Sequence, residues 1–314
     1  MRSAPGADSC CVILTVTLNM ALDVTYHVDG FTCGRTTRVR EVGRRAGGKG
    51  VNVARVLHAL GHEAVVTGLA GGFTGAAARA ELKAAGVRDE FVEIAGESRM
   101  TMTVVDREGR ATGFSEPGPV VAREEWAAAR SRCSVLIDSA SVVVLAGSLP
   151  PGLPASAYAQ LICRANEAGI PTVLDAQGEA LVLGAAARPA VVKVNVAEMA
   201  SATGADDVEA GAQALRDAGA QTVVITDGPA GLTCFSAQGA LRAVAPEVGT
   251  GNPTGAGDAV SAALAAGMID DMPWADRISA AAALSAAAVA APLAGSFDPD
   301  AYRRLRQRVH SIVV

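Results

Sequence analysis

The sequence predicts a doubly wound α/β fold: a mostly parallel sheet between helices, with a small second sheet acting as a lid. Short apolar runs without polar alternation recur along the 314 residues, which is the pattern of strands buried on both faces. Between them lie stretches with helical spacing. Only two regions alternate polar with apolar residues, and those read as half-exposed strands.

In order, CVILTVTL is followed by the helical VNVARVLHAL, which stops at Gly61, and EAVVTGLA is followed by GAAARAELKAAG. Next come VVVLAG with ASAYAQLICRANEAG, then PTVLDA, AVVKVN and QTVVITDG. The exceptions are VTYHV with TTRVREV, and residues 101–116, TMTVVDREGRATGFSE, whose arms flank a turn at Arg107-Glu108-Gly109-Arg110. These predict lid strands inserted at about 24–42 and 99–116 in one domain spanning 1–314. A sheet with one unpacked face covers a ligand or meets another subunit, unless it is an ordinary decorated edge.

Half of the residues are apolar, enough for a large core, and 27 basic against 32 acidic side chains leave a net charge of −5. That balance argues against a nucleic-acid binder and for small-molecule chemistry. Six cysteines without CxxC pairing read as reduced, cytoplasmic thiols, and no export signal is read at the N-terminus. Ile278 to Phe297 is uncharged but dominated by alanine, so it reads as a buried helix and no membrane span is predicted. The four histidines converge in no ligand spacing, and no zinc site is predicted.

Chemistry concentrates in two glycine clusters and one acid. GTGNPTGAGDAVSAALAAGM, Gly249 to Met268, places four glycines within nine residues and then Asp258 at a helix start. Glycines permit tight turns, and free N–H groups at a helix start suit an anion, so the carboxylate there needs a separate purpose. AGGKGVNVARVL, Ala46 to Leu57, lacks the GKS or GKT of a Walker loop; its glycines and Asn52 suit a polyhydroxylated ligand, or simply a strand-to-helix turn. In TLNMALDVTY, Asp23 follows the first strand, where it can accept bonds from adjacent sugar hydroxyls or stand as a solvated loop acid.

In this order the motifs resemble the PfkB family of carbohydrate kinases, with their ribokinase-like three-layer fold, from Leu18 to about Pro292. NMALD, GRTTRV, SRMTMTV, EPGP, AGSLPPG, KVNVAE and NPTGAGDA are similar to the branch containing 1-phosphofructokinases and tagatose-6-phosphate kinases. The resemblance implies ATP-dependent phosphorylation of a hexose monophosphate, tagatose 6-phosphate or fructose 1-phosphate, with MgATP as donor. It makes Asp258 the base, and the backbone of Gly255, Ala256 and Gly257 the cradle of the transferring phosphoryl group. Asp23, Gly48, Lys49 and Asn52 match sugar-binding positions; Arg99 matches an arginine that holds the existing phosphate, with Arg38 and Ser148 in support.

Lys193, Asn195 and Glu198 match a KxNxxE motif in which the Asn and Glu organise Mg²⁺ through water, while Thr226 and Gly228 match a nucleotide-contacting loop that Lys193 joins. Asn252 and Pro253 depart from the commoner DTxGAGD, and Met20 and Val194 replace prolines. A homodimer through the lid is also expected. Competing readings are a kinase of an unphosphorylated sugar or nucleoside, a dinucleotide-dependent oxidoreductase suggested by Gly249, Gly251 and Gly255, and a catalytically silent sugar sensor.

Overall fold

A computed structural model describes residues 11–244, 254–291 and 293–314. The chain begins β1 (Ile13–Thr17), β2 (Ala21–Val28), β3 (Val39–Gly47), α1 (Lys49–Ala59), β4 (Ala64–Gly71) and α2 (Gly72–Ala84). Two short strands, β5 (Arg88–Asp89) and β6 (Val92–Ile94), precede β7 (Arg99–Val105), β8 (Ala111–Ser115) and α3 (Arg123–Ser139). Strand and helix then alternate: β9 (Val142–Ala146), α4 (Ala157–Ala168), β10 (Thr172–Asp175), α5 (Gly178–Ala186), β11 (Val191–Asn195), α6 (Val196–Thr203), α7 (Val208–Ala218) and β12 (Thr222–Thr226). Last come β13 (Leu232–Ser236), β14 (Gly239–Ala243), α8 (Ala256–Ile269), α9 (Trp274–Val289), α10 (Pro299–Arg306) and β15 (Ser311–Val313).

Eleven strands form one sheet in the order β15-β14-β13-β12-β11-β10-β9-β1-β4-β5, with β6 also paired to β4. Every residue of β1, β4 and β9 is buried, as their unbroken apolar sequences require. Side chains leave alternate faces: Val142, Val144 and Ala146 of β9 enter one core with α1, α8 and α9, while Val143 and Leu145 enter another with α3, α4, α5 and α7. The parallel registers put the carboxyl ends of β1, β9, β10, β11 and β12 along one edge, where doubly wound sheets bind ligands. The uncharged segment before Asp298 does supply a buried helix, α9, and no described helix is long and apolar enough to cross a membrane.

Sequence periodicity did not reveal the antiparallel edge β13, β14 and β15. These strands have only five, five and three residues, and they are partly exposed.

The lid is a separate sheet in the order β3-β2-β7-β8. The turn at 106–110 forms as expected, with Gly109 at φ 78° and its amide donating to the Asp106 carbonyl at 3.0 Å. Both lid strands on the N-terminal side are longer than the alternation suggested. β2 begins at Ala21, so Asp23 lies in a strand and not in a loop, and β3 runs on to Gly47, directly into the second glycine cluster.

Candidate active site

The turn before α8 is shaped by Gly255, which adopts φ 88° as the N-cap. A side chain there would also press on the Ala294 backbone, since its Cβ would lie 3.0 Å from the Ala294 Cα. The first amides of α8, those of Ala256 and Gly257, have no intrahelical acceptor and present positive dipoles to an anion. Asp258 follows in the same turn, buried, with its Oδ2 accepting from Asn52 Nδ2 at 2.8 Å. Burial and then the neighbouring Asp175 charge push its carboxyl up to about 6, against the Asn52 bond and the Lys193 and Lys49 charges. Asn252 and Pro253, like Gly249 and Gly251, lie outside the described residues.

Asp175 is a site residue that sequence reading missed. It ends β10 and is fully buried; Oδ1 accepts from Lys49 Nζ at 2.7 Å, and Oδ2 from Lys193 Nζ at 2.7 Å and Ser261 Oγ at 3.0 Å. Burial works to raise its pKa, but the two ammonium groups outweigh it and hold the carboxyl at about 2. The negative charge is therefore fixed, and it organises both lysines. Lys193 is itself buried beneath the turn before α8, where a Cβ on Gly257 would sit 2.9 Å from its Nζ. Lys49 also approaches Glu198 Oε1 at 3.4 Å, and these carboxylates raise its pKa although burial opposes them.

Asn195 and Glu198 form a capping box at the start of α6. Glu198 N donates to Asn195 Oδ1 at 2.7 Å, and Asn195 N donates to Glu198 Oε2 at 3.0 Å. The KxNxxE spacing therefore has a structural purpose whatever else it serves. Among the described residues no group of three or more His, Cys, Asp or Glu side chains is placed to hold a metal directly. Asn195 and Glu198 carry oxygen donors of the kind a hydrated magnesium ion takes. Thr226 pairs with Asn195 across β11 and β12, and Gly228, at φ 48°, opens the short turn beyond it.

A cleft of about 180 Å³ joins Lys49, Arg99 and Ser148 with Asn19, Ser115 and Gln177, the last three not read from sequence. Arg99 is oriented by donating Nε to the Asn19 carbonyl at 3.0 Å and Nη1 to Ser115 Oγ at 2.7 Å. Asn19 Nδ2 in turn donates to Ser148 Oγ at 3.1 Å. Gly48, at φ 102°, caps α1, and Gly50 N donates to Thr17 Oγ1 at 2.9 Å. Asp23 faces the same side of the lid; burial raises its pKa against the Arg99 charge, a Thr101 hydrogen bond and the Arg45 and Arg55 charges. A side chain at Gly47 would collide with this carboxylate. Arg38 is not brought to the cleft: it is exposed just ahead of β3, without a hydrogen bond or ion pair to the described residues. A larger groove of about 610 Å³ lies between α3 and α4, but none of these motifs lines it.

A buried carboxylate at a helix start, linked through Asn52 to the helix that follows the second glycine cluster, suits transfer of a phosphoryl group to a hydroxyl. Fold and site together define an ATP-dependent carbohydrate kinase. The chain belongs to the pfkB family of carbohydrate kinases, which it matches over residues 15–301. Phosphofructokinase-2 from Escherichia coli, in a structure with potassium, is similar at 26% identity and a TM-score of 0.90, covering 95% of this chain and 99% of that one. The same enzyme with fructose-6-phosphate matches at 27% identity and a TM-score of 0.87, again over 95% and 99%. A possible 1-phosphofructokinase from Thermotoga maritima shares the fold at 24% identity and a TM-score of 0.87, covering 96% and 99%.

If Asp258 is the base, kcat/KM is expected to fall about tenfold per pH unit below its pKa, because only the deprotonated carboxylate accepts the hydroxyl proton. With the group at about 6, the loss begins on the acid side of neutrality. A flat profile through that region, measured by initial rates, would contradict the assignment.

Proposed function

We propose that the enzyme phosphorylates a hexose monophosphate, tagatose 6-phosphate or fructose 1-phosphate, to the bisphosphate with MgATP. The observation that carries this is Arg99, a fixed guanidinium in the same cleft as Lys49 and Ser148, whose planar fork and charge suit a phosphate on the substrate. Fructose 1-phosphate would receive the new group at C6, and tagatose 6-phosphate at C1. Either substrate presents a hydroxyl at one end and a phosphate at the other.

Asp23 and Asn52 would orient the sugar, with Gly48 letting its backbone approach closely. Asp258 takes the proton of the attacking hydroxyl as its oxygen bonds to the γ-phosphorus, and ADP leaves. The amides of Gly255, Ala256 and Gly257 stabilise charge on the transferring group, and Lys193 adds its charge from beneath. Magnesium, when bound, neutralises charge on the nucleotide phosphates, and Glu198 with Asn195 would hold its waters. Thr226 and Gly228 would meet the nucleotide.

Arg99→Ala is expected to raise KM for the hexose phosphate about ten- to a hundredfold and leave KM for ATP nearly unchanged, since one charge-assisted contact is lost. Hexose-phosphate kinetics unaffected by this change would overturn the branch assignment while leaving the kinase intact. The lid's outer face, with Met100 and Phe114 exposed, supports a homodimer in which Arg38 reaches the partner's site. Light scattering should give twice the chain mass at working concentration, and an active monomer would count against the dimer. Use of ATP as donor supports a cytoplasmic setting.

A further inference from the structure

No motif gives Arg45 a role, yet its side chain spans the site. From the end of β3 it donates Nη1 to the Ala294 carbonyl at 2.8 Å and Nη2 to the Gly295 carbonyl at 3.4 Å, about 250 residues along the chain. Arg45 stands directly opposite Asp23 in the β2–β3 ladder, so both side chains leave the same face of the lid. The clamped peptide in turn is wedged into the catalytic centre. A Cβ on Gly255 would lie 3.1 Å from Gly295 N, and a Cβ on Gly295 would lie 2.8 Å from Asn52 Oδ1. Asn52 is the residue that donates to Asp258, and its Oδ1 is buried without a hydrogen-bond partner among the described residues, so packing against Gly295 fixes the amide on that side.

We propose that Arg45 is a positioning residue that ties the sugar-binding strand to the phosphoryl-binding turn by clamping the Ala294–Gly295 peptide against Gly255 and Asn52. A guanidinium suits this task because its planar fork donates to two successive carbonyls at once and holds their orientation. The clamp makes no contact with either substrate's reacting atoms; it sets where the Gly255 turn and the Asn52–Asp258 pair stand. It rests on the reading of that turn as the place of phosphoryl transfer.

The test compares Arg45→Met with Arg45→Lys, which keeps one donor, and with Arg44→Met, whose exposed side chain leaves the opposite face. Arg45→Met should lower kcat about ten- to a hundredfold, the cost of a misplacement on the order of 1 Å, with KM for the hexose phosphate changed by less than about threefold. Arg45→Lys should recover part of kcat, and Arg44→Met should behave as wild type. Hydrogen–deuterium exchange on the resting proteins should show faster exchange at the amides of residues 256–258 and 293–297 in Arg45→Met, with Arg44→Met unchanged. Wild-type kcat in a folded Arg45→Met, or a lowered kcat without faster exchange in the turn, would overturn the proposal. If Arg45→Met does not fold, Arg45→Lys decides by the same exchange measurement: faster exchange in the turn supports the clamp, and unchanged exchange overturns it. Exchange needs no substrate, so a wild-type enzyme inactive on every hexose phosphate would refute the proposed function while the clamp was still judged.

Discussion

Asp258→Asn is expected to lower kcat by about 10²–10⁴ with little change in KM for either substrate. The amide keeps the shape of the carboxylate and can still accept the Asn52 hydrogen bond, so the turn should stay intact. What it loses is the ability to take a proton from the attacking hydroxyl. The site keeps its oriented amides and the charge of Lys193, which accounts for a residual rate. A variant with near-normal kcat in steady-state assays would remove the base from the mechanism.

The second large effect is structural. Asp175→Ala removes the carboxylate that is hydrogen-bonded to both ammonium groups, leaving Lys193 and Lys49 only the charge of Asp258 and, for Lys49, the more distant Glu198. Breaking a buried pair by removing one partner costs roughly 3–5 kcal/mol, because an uncompensated charge stays behind. Calorimetry should therefore show Tm lower by several degrees, and activity should fall as Lys49 and Lys193 lose their common anchor. An unchanged Tm would mean that the network contributes little to the native state.

The doubly wound core was legible because burial on both faces of β1, β4 and β9 leaves an unmistakable apolar run, and the lid because β7 and β8 alternate. The place of Asp258 was legible because glycines and a lone carboxylate come together at a helix start, which α8 forms, while the role of base rests on the family resemblance. Asp175 was not, since it sits in an ordinary PTVLDA strand and acquires meaning only by meeting Lys49, 126 residues away, and Lys193, 18 residues away. Arg45 escaped for the same reason: its partners are backbone carbonyls in a distant loop, and carbonyls leave no trace in a sequence. Lys193 shows how a motif match can conceal position, for its ammonium lies beneath the turn before α8 in an ion pair with Asp175. Arg38, matched to a supporting position near the substrate phosphate, stands outside the cleft of its own chain.

Substrate choice is the central claim, and steady-state constants test it most directly, with tagatose 6-phosphate, fructose 1-phosphate, fructose 6-phosphate and the corresponding free sugars compared at saturating MgATP. If Arg99 is matched to a phosphate, kcat/KM for tagatose 6-phosphate or fructose 1-phosphate should exceed that for the same sugar without its phosphate by about ten- to a hundredfold, the worth of a charge-assisted anchor. A preference for a free sugar, or equal constants with and without the phosphate, would contradict it.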